Sequence, residues 1–93
     1  MKIIGTRVTA TCLDGTSTHE KRLDRATDRT FIEHLGGLGT LEYFPQFPRP
    51  FFRVTRAGAF IIKGVEGDDT FEIFFMSSSG NPEEEIAAHI GRF

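Results

Sequence analysis

One thiol, three imidazoles and a strip of aromatic and basic residues are the groups in this 93-residue sequence that could act on a ligand or hold one. The thiol is Cys12. A nucleophilic cysteine needs a partly exposed, electropositive setting with a histidine in reach. Cys12 instead alternates in phase with Val8 and Ala10, and with Ile4, against Arg7, Thr9 and Thr11. That pattern predicts a small buried hydrophobe on the apolar side of an amino-terminal strand. Asp14-Gly15 predicts a type I′ turn after it, so that residues 16–22 return as a partner strand and His19 faces Ala10. The competing reading of Ser17-Thr18-His19-Glu20 as a capping box, starting a helix early, is less favoured.

His19, His34 and His89 show no metal-binding spacing of the His-x3-His or Cys-x2-Cys kind, so no metal and no cofactor is expected. His34 and His89 each fall near the carboxyl end of a predicted helix, where an imidazolium interacts well with the dipole. The two rings would meet if those helices pack side by side. Glu83-Glu84-Glu85 complements a helix start, and Asp68-Asp69 belongs to a turn. Gly36-Gly37-Leu38-Gly39 follows a helix, whereas a dinucleotide-binding glycine loop precedes one. No catalytic residue is nominated. An enzyme or ligand-binding subunit would have to work with Cys12, His19, His34 and His89.

The richer candidate is the strip from Tyr43 to Arg53, with Pro45, Pro48 and Pro50 holding it extended. Inside a compact domain it predicts a stiff crossover that tucks Phe44 or Phe47 into the core. Its functional reading is a binding surface of Tyr43, Phe47, Arg49, Phe51 and Arg53, joined through strand pairing by Ile61, Lys63 and Phe74. Aromatic rings interleaved with cations suit protein hot spots or the stacking of single-stranded bases.

The elements that must position these groups can be worked out from residue chemistry. Apolar-rich runs at 51–56, 60–65 and 71–76 predict a meander. A two-residue type II′ turn at Gly67-Asp68 sets Ile62 opposite Ile73, Phe60 opposite Phe75 and Lys63 opposite Glu72. A three-residue loop at 57–59, with Gly58 left-handed, sets Val54 opposite Ile62 and Phe52 opposite Gly64. One face then gathers Phe52, Val54, Phe60, Ile62, Phe71, Ile73 and Phe75. The other carries Phe51, Arg53, Thr55, Ile61, Lys63, Glu72 and Phe74.

Two helices cover the apolar face. The second, about 82–92, has Asn81 as N-cap, Pro82 in the first turn, and Ile86, Ile90 and Phe93 as its buried stripe. The first, about 25–35, is capped by Asp24 or Thr27, buries Phe31, Ile32 and Leu35, and stops at Gly36-Gly37. The expected fold is a single two-layer α+β domain over residues 1–93, an antiparallel sheet of four to six strands with both helices on one face.

Ten phenylalanines and no tryptophan fit a core made of large rings without polar atoms. A single cysteine allows no intramolecular disulfide. The residues from Met1 to Arg7 hold no apolar run of signal-peptide or membrane-span length, so a reducing, cytoplasmic setting and no membrane partner are expected. The net charge of −2 and pI near 5.9 give no overall pull toward nucleic acid. The leading expectation is therefore a non-enzymatic interaction module that self-associates, as a homodimer, through Phe51, Ile61 and Phe74. A single-strand nucleic-acid binder using the 43–56 strip is the alternative.

Overall fold

A computed structural model describes residues 1–76 and 82–93. Six strands run β1 (Ile3–Thr11), β2 (Ser17–Leu23), β3 (Thr40–Phe44), β4 (Phe51–Arg56), β5 (Phe60–Val65) and β6 (Thr70–Phe75). Helix α1 (Arg29–Leu35) lies between β2 and β3, and α2 (Pro82–Gly91) follows β6. The strands form one antiparallel sheet in the order β1-β2-β6-β5-β4-β3. The chain thus lays down an amino-terminal hairpin, then a four-strand meander whose last strand docks against that hairpin. The result is a two-layer α+β fold.

The meander register is the one that the side-chain chemistry requires. Ile62 faces Ile73, Phe60 faces Phe75, Val54 faces Ile62 and Phe52 faces Gly64. All seven residues expected on the covered face are buried, and Phe31, Ile32 and Leu35 of α1 and Ile86 and Ile90 of α2 seal them. Each such side chain contributes about 1.5–3 kcal/mol by leaving water. Side chains in a strand alternate, so slipping any strand by one residue would expose the whole set.

The turns are where local chemistry meets tertiary demands. Gly58 sits at φ 75 in a three-residue loop closed by the Arg56–Phe60 pair, as expected. Gly67 also has positive φ, at 95, yet the turn is not type II′. The Asp68 N–H donates to the Val65 carbonyl at 3.2 Å, which centres the turn on Glu66-Gly67, with glycine in the third position that a type II turn requires. The register survives because the loop still spans four residues. The reason for the shift is Thr27, which is buried. Its hydroxyl lies 3.1 Å from both the Val65 and Asp68 carbonyls and accepts from the Gly67 N–H.

That tether also corrects the first helix. Thr27 is a turn clamp, and Asp24 lies further back, its carboxylate accepting from the Lys2 N–H. The N-cap is Asp28, which accepts from the Phe31 N–H at 2.8 Å, so the helix starts at Arg29 and not near residue 25. It ends at Leu35 and tightens into a 3-10 turn over Gly36–Leu38. Helix α2 has nearly its expected span; the expected cap, Asn81, lies outside the described residues.

The amino-terminal strand departs most from expectation. Two irregularities, between Ile3 and Gly5 and between Val8 and Ala10, break its alternation. Ile3 packs against the core, whereas Ile4 and Val8 are more than half exposed. Cys12 is exposed beyond the strand end, not buried. The Asp14-Gly15 turn is not type I′, because only Gly15 has positive φ; Asp14 instead accepts from the Thr16 N–H and hydroxyl. His19 consequently faces Val8, not Ala10. Residues 17–23 nevertheless do return as a strand.

Replacing Thr27 by valine keeps its shape and removes the hydroxyl's bonds to this turn, while the backbone bonds from Thr27 N–H to the Asp68 carbonyl, from Gly67 N–H to the Thr27 carbonyl and from Asp68 N–H to the Val65 carbonyl remain. A loss of about 0.5–1.5 kcal/mol is expected, seen as a fall in Tm of roughly 2–10 °C. An unchanged melting curve would contradict the clamp.

Candidate functional site

The face without helices is ordered by the same alternation that fills the core. Following partners from strand to strand gives three rows that cross the whole sheet. The central row reads Arg7, Glu20, Glu72, Lys63, Arg53, Glu42 from β1 to β3. On one side of it lies Ala10, Thr18, Phe74, Ile61, Thr55, Thr40. On the other, beside the turn, lie Gly5, Arg22 and Thr70, continued by Val65, Phe51 and Phe44.

Five of the residues nominated from sequence meet here: Phe51, Arg53, Ile61, Lys63 and Phe74. Phe51, Ile61 and Phe74 are half-buried with no helix over them among the described residues, and Lys63 and Glu72 are exposed. The central row sums to zero charge and is internally compensated. Arg7 bonds Glu20 at 3.1 Å, and Arg53 bonds Glu42 at 2.7 Å. Lys63 and Glu72 sit directly opposite each other on neighbouring strands, a pairing worth a few tenths of a kcal/mol to about 1.

Residues 45–50 make a hairpin loop between adjacent strands, not a crossover, since Phe44 pairs with Phe51. Neither Phe44 nor Phe47 enters the core. Phe44 packs its ring 5.7 Å from Phe51 and 6.3 Å from Phe47 on the open face, and Phe47 is half exposed. These three rings, with Gln46 and Arg53, border an open apolar depression of about 520 Å³. A second depression, about 370 Å³, lies over Glu20, Lys63, Val65, Thr70 and Glu72. Both open on the face that the helices leave bare.

Two nominated residues fall elsewhere. Tyr43 points to the helix side, opposite buried Phe52, and donates its hydroxyl to Glu66 at 2.7 Å. That bond raises the phenol above its ordinary pKa. Arg49 leaves the face to pair with Asp68. With Arg53 on Glu42 and Arg56 on Glu85, the arginines of the 43–56 strip are each matched to a carboxylate. Little free positive charge is left there for phosphates.

The polar clusters on the helix side are clamps. Lys21 is buried on the core face of β2, and its ammonium bonds Thr6 Oγ1 at 3.2 Å and Glu83 Oε1 at 2.8 Å. His19 stands beside it with Nδ1 3.6 Å from Glu83 Oε2 and Nε2 3.3 Å from Ser17 Oγ, its ring edge-on to Phe75. The order serine–histidine–glutamate resembles a catalytic relay in sequence of contacts only. Glu83 is committed to the Lys21 ammonium, and the Nδ1 contact exceeds hydrogen-bond length. The hydrogen bond from Lys21 holds the Glu83 carboxyl below its ordinary pKa.

At the opposite end of the helices, His34 and His89 stack at 4.1 Å. Each donates Nε2–H to the other's backbone carbonyl at 2.6 Å, so both carbonyls near the helix ends are satisfied and both rings carry a proton on Nε2. The helices do meet as expected. Among the described residues no group of three or more His, Cys, Asp or Glu side chains could hold a metal, and no helix is long and apolar enough to cross a membrane.

Sequence reasoning missed Lys21 and Glu83 because their contact joins residues 62 apart in the chain. The one available signal was the phase of β2, which places Ser17, His19, Lys21 and Leu23 on one side. Comparison with protein-family models, with curated proteins and with solved structures finds no match.

The Lys21–Glu83 clamp has a defined pH signature. A depressed carboxylate pKa contributes stability above the unfolded value and loses it as pH falls through the folded value. Glu83→Gln should cost about 1 kcal/mol at neutral pH, moderated by the half-exposed carboxylate. The gap to the native chain should narrow in urea titrations as pH falls below the ordinary carboxylate range and close once it has passed the lower folded value. A gap that does not narrow as pH falls through the acid range would mean that the ion pair is not its source.

Proposed function

We propose that this protein is a small, non-enzymatic homotypic interaction module that self-associates through the open face of its sheet. The observation that carries this reading is the row of Phe74 and Ile61 at the centre of the sheet, with Val65, Phe51 and Phe44 beside the turn. These apolar side chains share one surface, and among the described residues no helix lies over them. Apolar side chains left on an open sheet face, here in two rows flanking the charged one, offer a surface for association.

The area is adequate. Six strands about 4.8 Å apart, each about six residues long, present a footprint of roughly 500 Å², of the same order as the 800 Å² per partner of stable complexes. The ionic row does not oppose association in bulk, since its three cations and three anions cancel. A second copy is favoured as occupant over nucleic acid for two reasons. The strip's arginines are matched to carboxylates, and the chain is acidic overall.

Sedimentation velocity at tens of micromolar should give a particle of twice the 10.4 kDa chain mass. Ile61→Asp and Phe74→Asp should each return a folded monomer, with the far-UV circular dichroism unchanged. A native chain that remains monomeric defeats the reading. If that monomer bound a fluorescent single-stranded oligonucleotide at low salt, the 43–56 strip would take its place as the functional surface.

A further inference from the structure

Resting on that reading, we infer that two copies pack face to face about a two-fold axis parallel to the strands and midway between β6 and β5. The central row carries the inference. Its signs, from β1 to β3, are plus, minus, minus, plus, plus, minus. Read backwards, every sign is inverted.

A two-fold axis along the strands reverses the row while keeping each row at its own height. Position one then faces position six of the second copy, two faces five, and three faces four. Glu72 meets Lys63 of the second copy, Glu20 meets its Arg53, and Arg7 meets its Glu42. Each contact is made twice, as an isologous interface requires. An axis lying along the row instead would set every charge against its own copy, with Lys63 on Lys63 and Glu72 on Glu72. Like charges brought together in an interface cost several-fold to many-fold in affinity, so the row itself selects between the two arrangements.

The flanking rows fit the same axis. Phe74 faces Ile61 of the second copy, which buries the apolar pair nearest the axis. Thr70 faces Val65. Arg22, held only loosely by Asp69 at 3.6 Å, faces Phe51, where a guanidinium can lie over the ring. Gly5, without a side chain, faces Phe44. Two twisted sheets cross at about −30°, so the contacts beside the axis are tightest and the outer ones splay. The axis falls between the two middle strands of six, which maximises overlap. Glu72, Lys63, Phe74 and Ile61 are therefore the centre of the interface.

Charge exchange between copies tests this geometry, and the single variants separate the two axes, since an axis along the row already sets like charges together in the native chain and neither substitution would add to them. Lys63→Glu sets a carboxylate against Glu72 of the second copy, and Glu72→Lys sets an ammonium against its Lys63. Each variant alone should associate at least about tenfold more weakly than the native chain. An equimolar mixture, with one variant carrying 15N, should form a 1:1 heterodimer by native mass spectrometry, because both inner contacts are then opposite in sign. Mixing leaves the pairing of positions 63 and 72 within each variant chain as it was, so recovery cannot come from repair within the fold. A native dimer whose variants fail to recover on mixing, or associate as tightly as the native chain, overturns the axis and leaves the association standing. A native monomer overturns both.

Discussion

The pairing of β5 with β6 is the constraint on which the rest of the molecule depends. With Ile62 opposite Ile73, the period of two leaves no freedom: Phe60, Gly64, Phe71 and Phe75 join them on one side, and Ile61, Lys63, Glu72 and Phe74 go to the other. These are the central strands of the sheet, so their phase propagates outward through β2 and β4 to the edges. Two short helices then suffice to seal the first side. Nothing in the chain's own described structure covers the second.

The same constraint explains why the polar groups divide as they do. On the helix side, these charges and rings each reach a partner: Lys21 on Glu83, Arg56 on Glu85, and the His34–His89 pair on each other's carbonyls. They are ties between the sheet and the helices, or between the two helices, and they commit those side chains to holding the fold. On the open side the charges of the central row alternate in blocks across strands and compensate one another laterally. That arrangement keeps the surface neutral without making it polar throughout, because the apolar residues sit in their own rows.

The meander was legible from sequence because its signals are local. Glycine-marked turns, alternating aromatic and aliphatic residues, and one opposite-charge pair all constrain the same register, so an error in turn type at Gly67 did not move it. Helix α2 was legible for the same reason, with proline, acidic residues and an Ile86–Ile90 spacing in agreement. The start of α1 was not, since Thr27 has the chemistry of a cap and is used by a turn some forty residues away. Strand β1 departs from its apparent alternation because two irregularities reset its phase, which leaves Ile4 and Val8 exposed on an edge strand. Of the surface residues, those of β4, β5 and β6 were placed correctly by register; Tyr43, just before the proline loop, and Arg49, within it, had no turn signal to set theirs.

The claim at the centre is that the open face finds its partner in a second copy. The most direct measurement is an isotope-filtered NOE experiment on a dimer mixed from 13C-labelled and unlabelled chains. Contacts from labelled Ile61 methyl protons to Phe74 ring protons of the unlabelled chain are the expected result. A filtered spectrum without intermolecular contacts to Ile61 or Phe74, or with contacts only to α1 and α2, would contradict it.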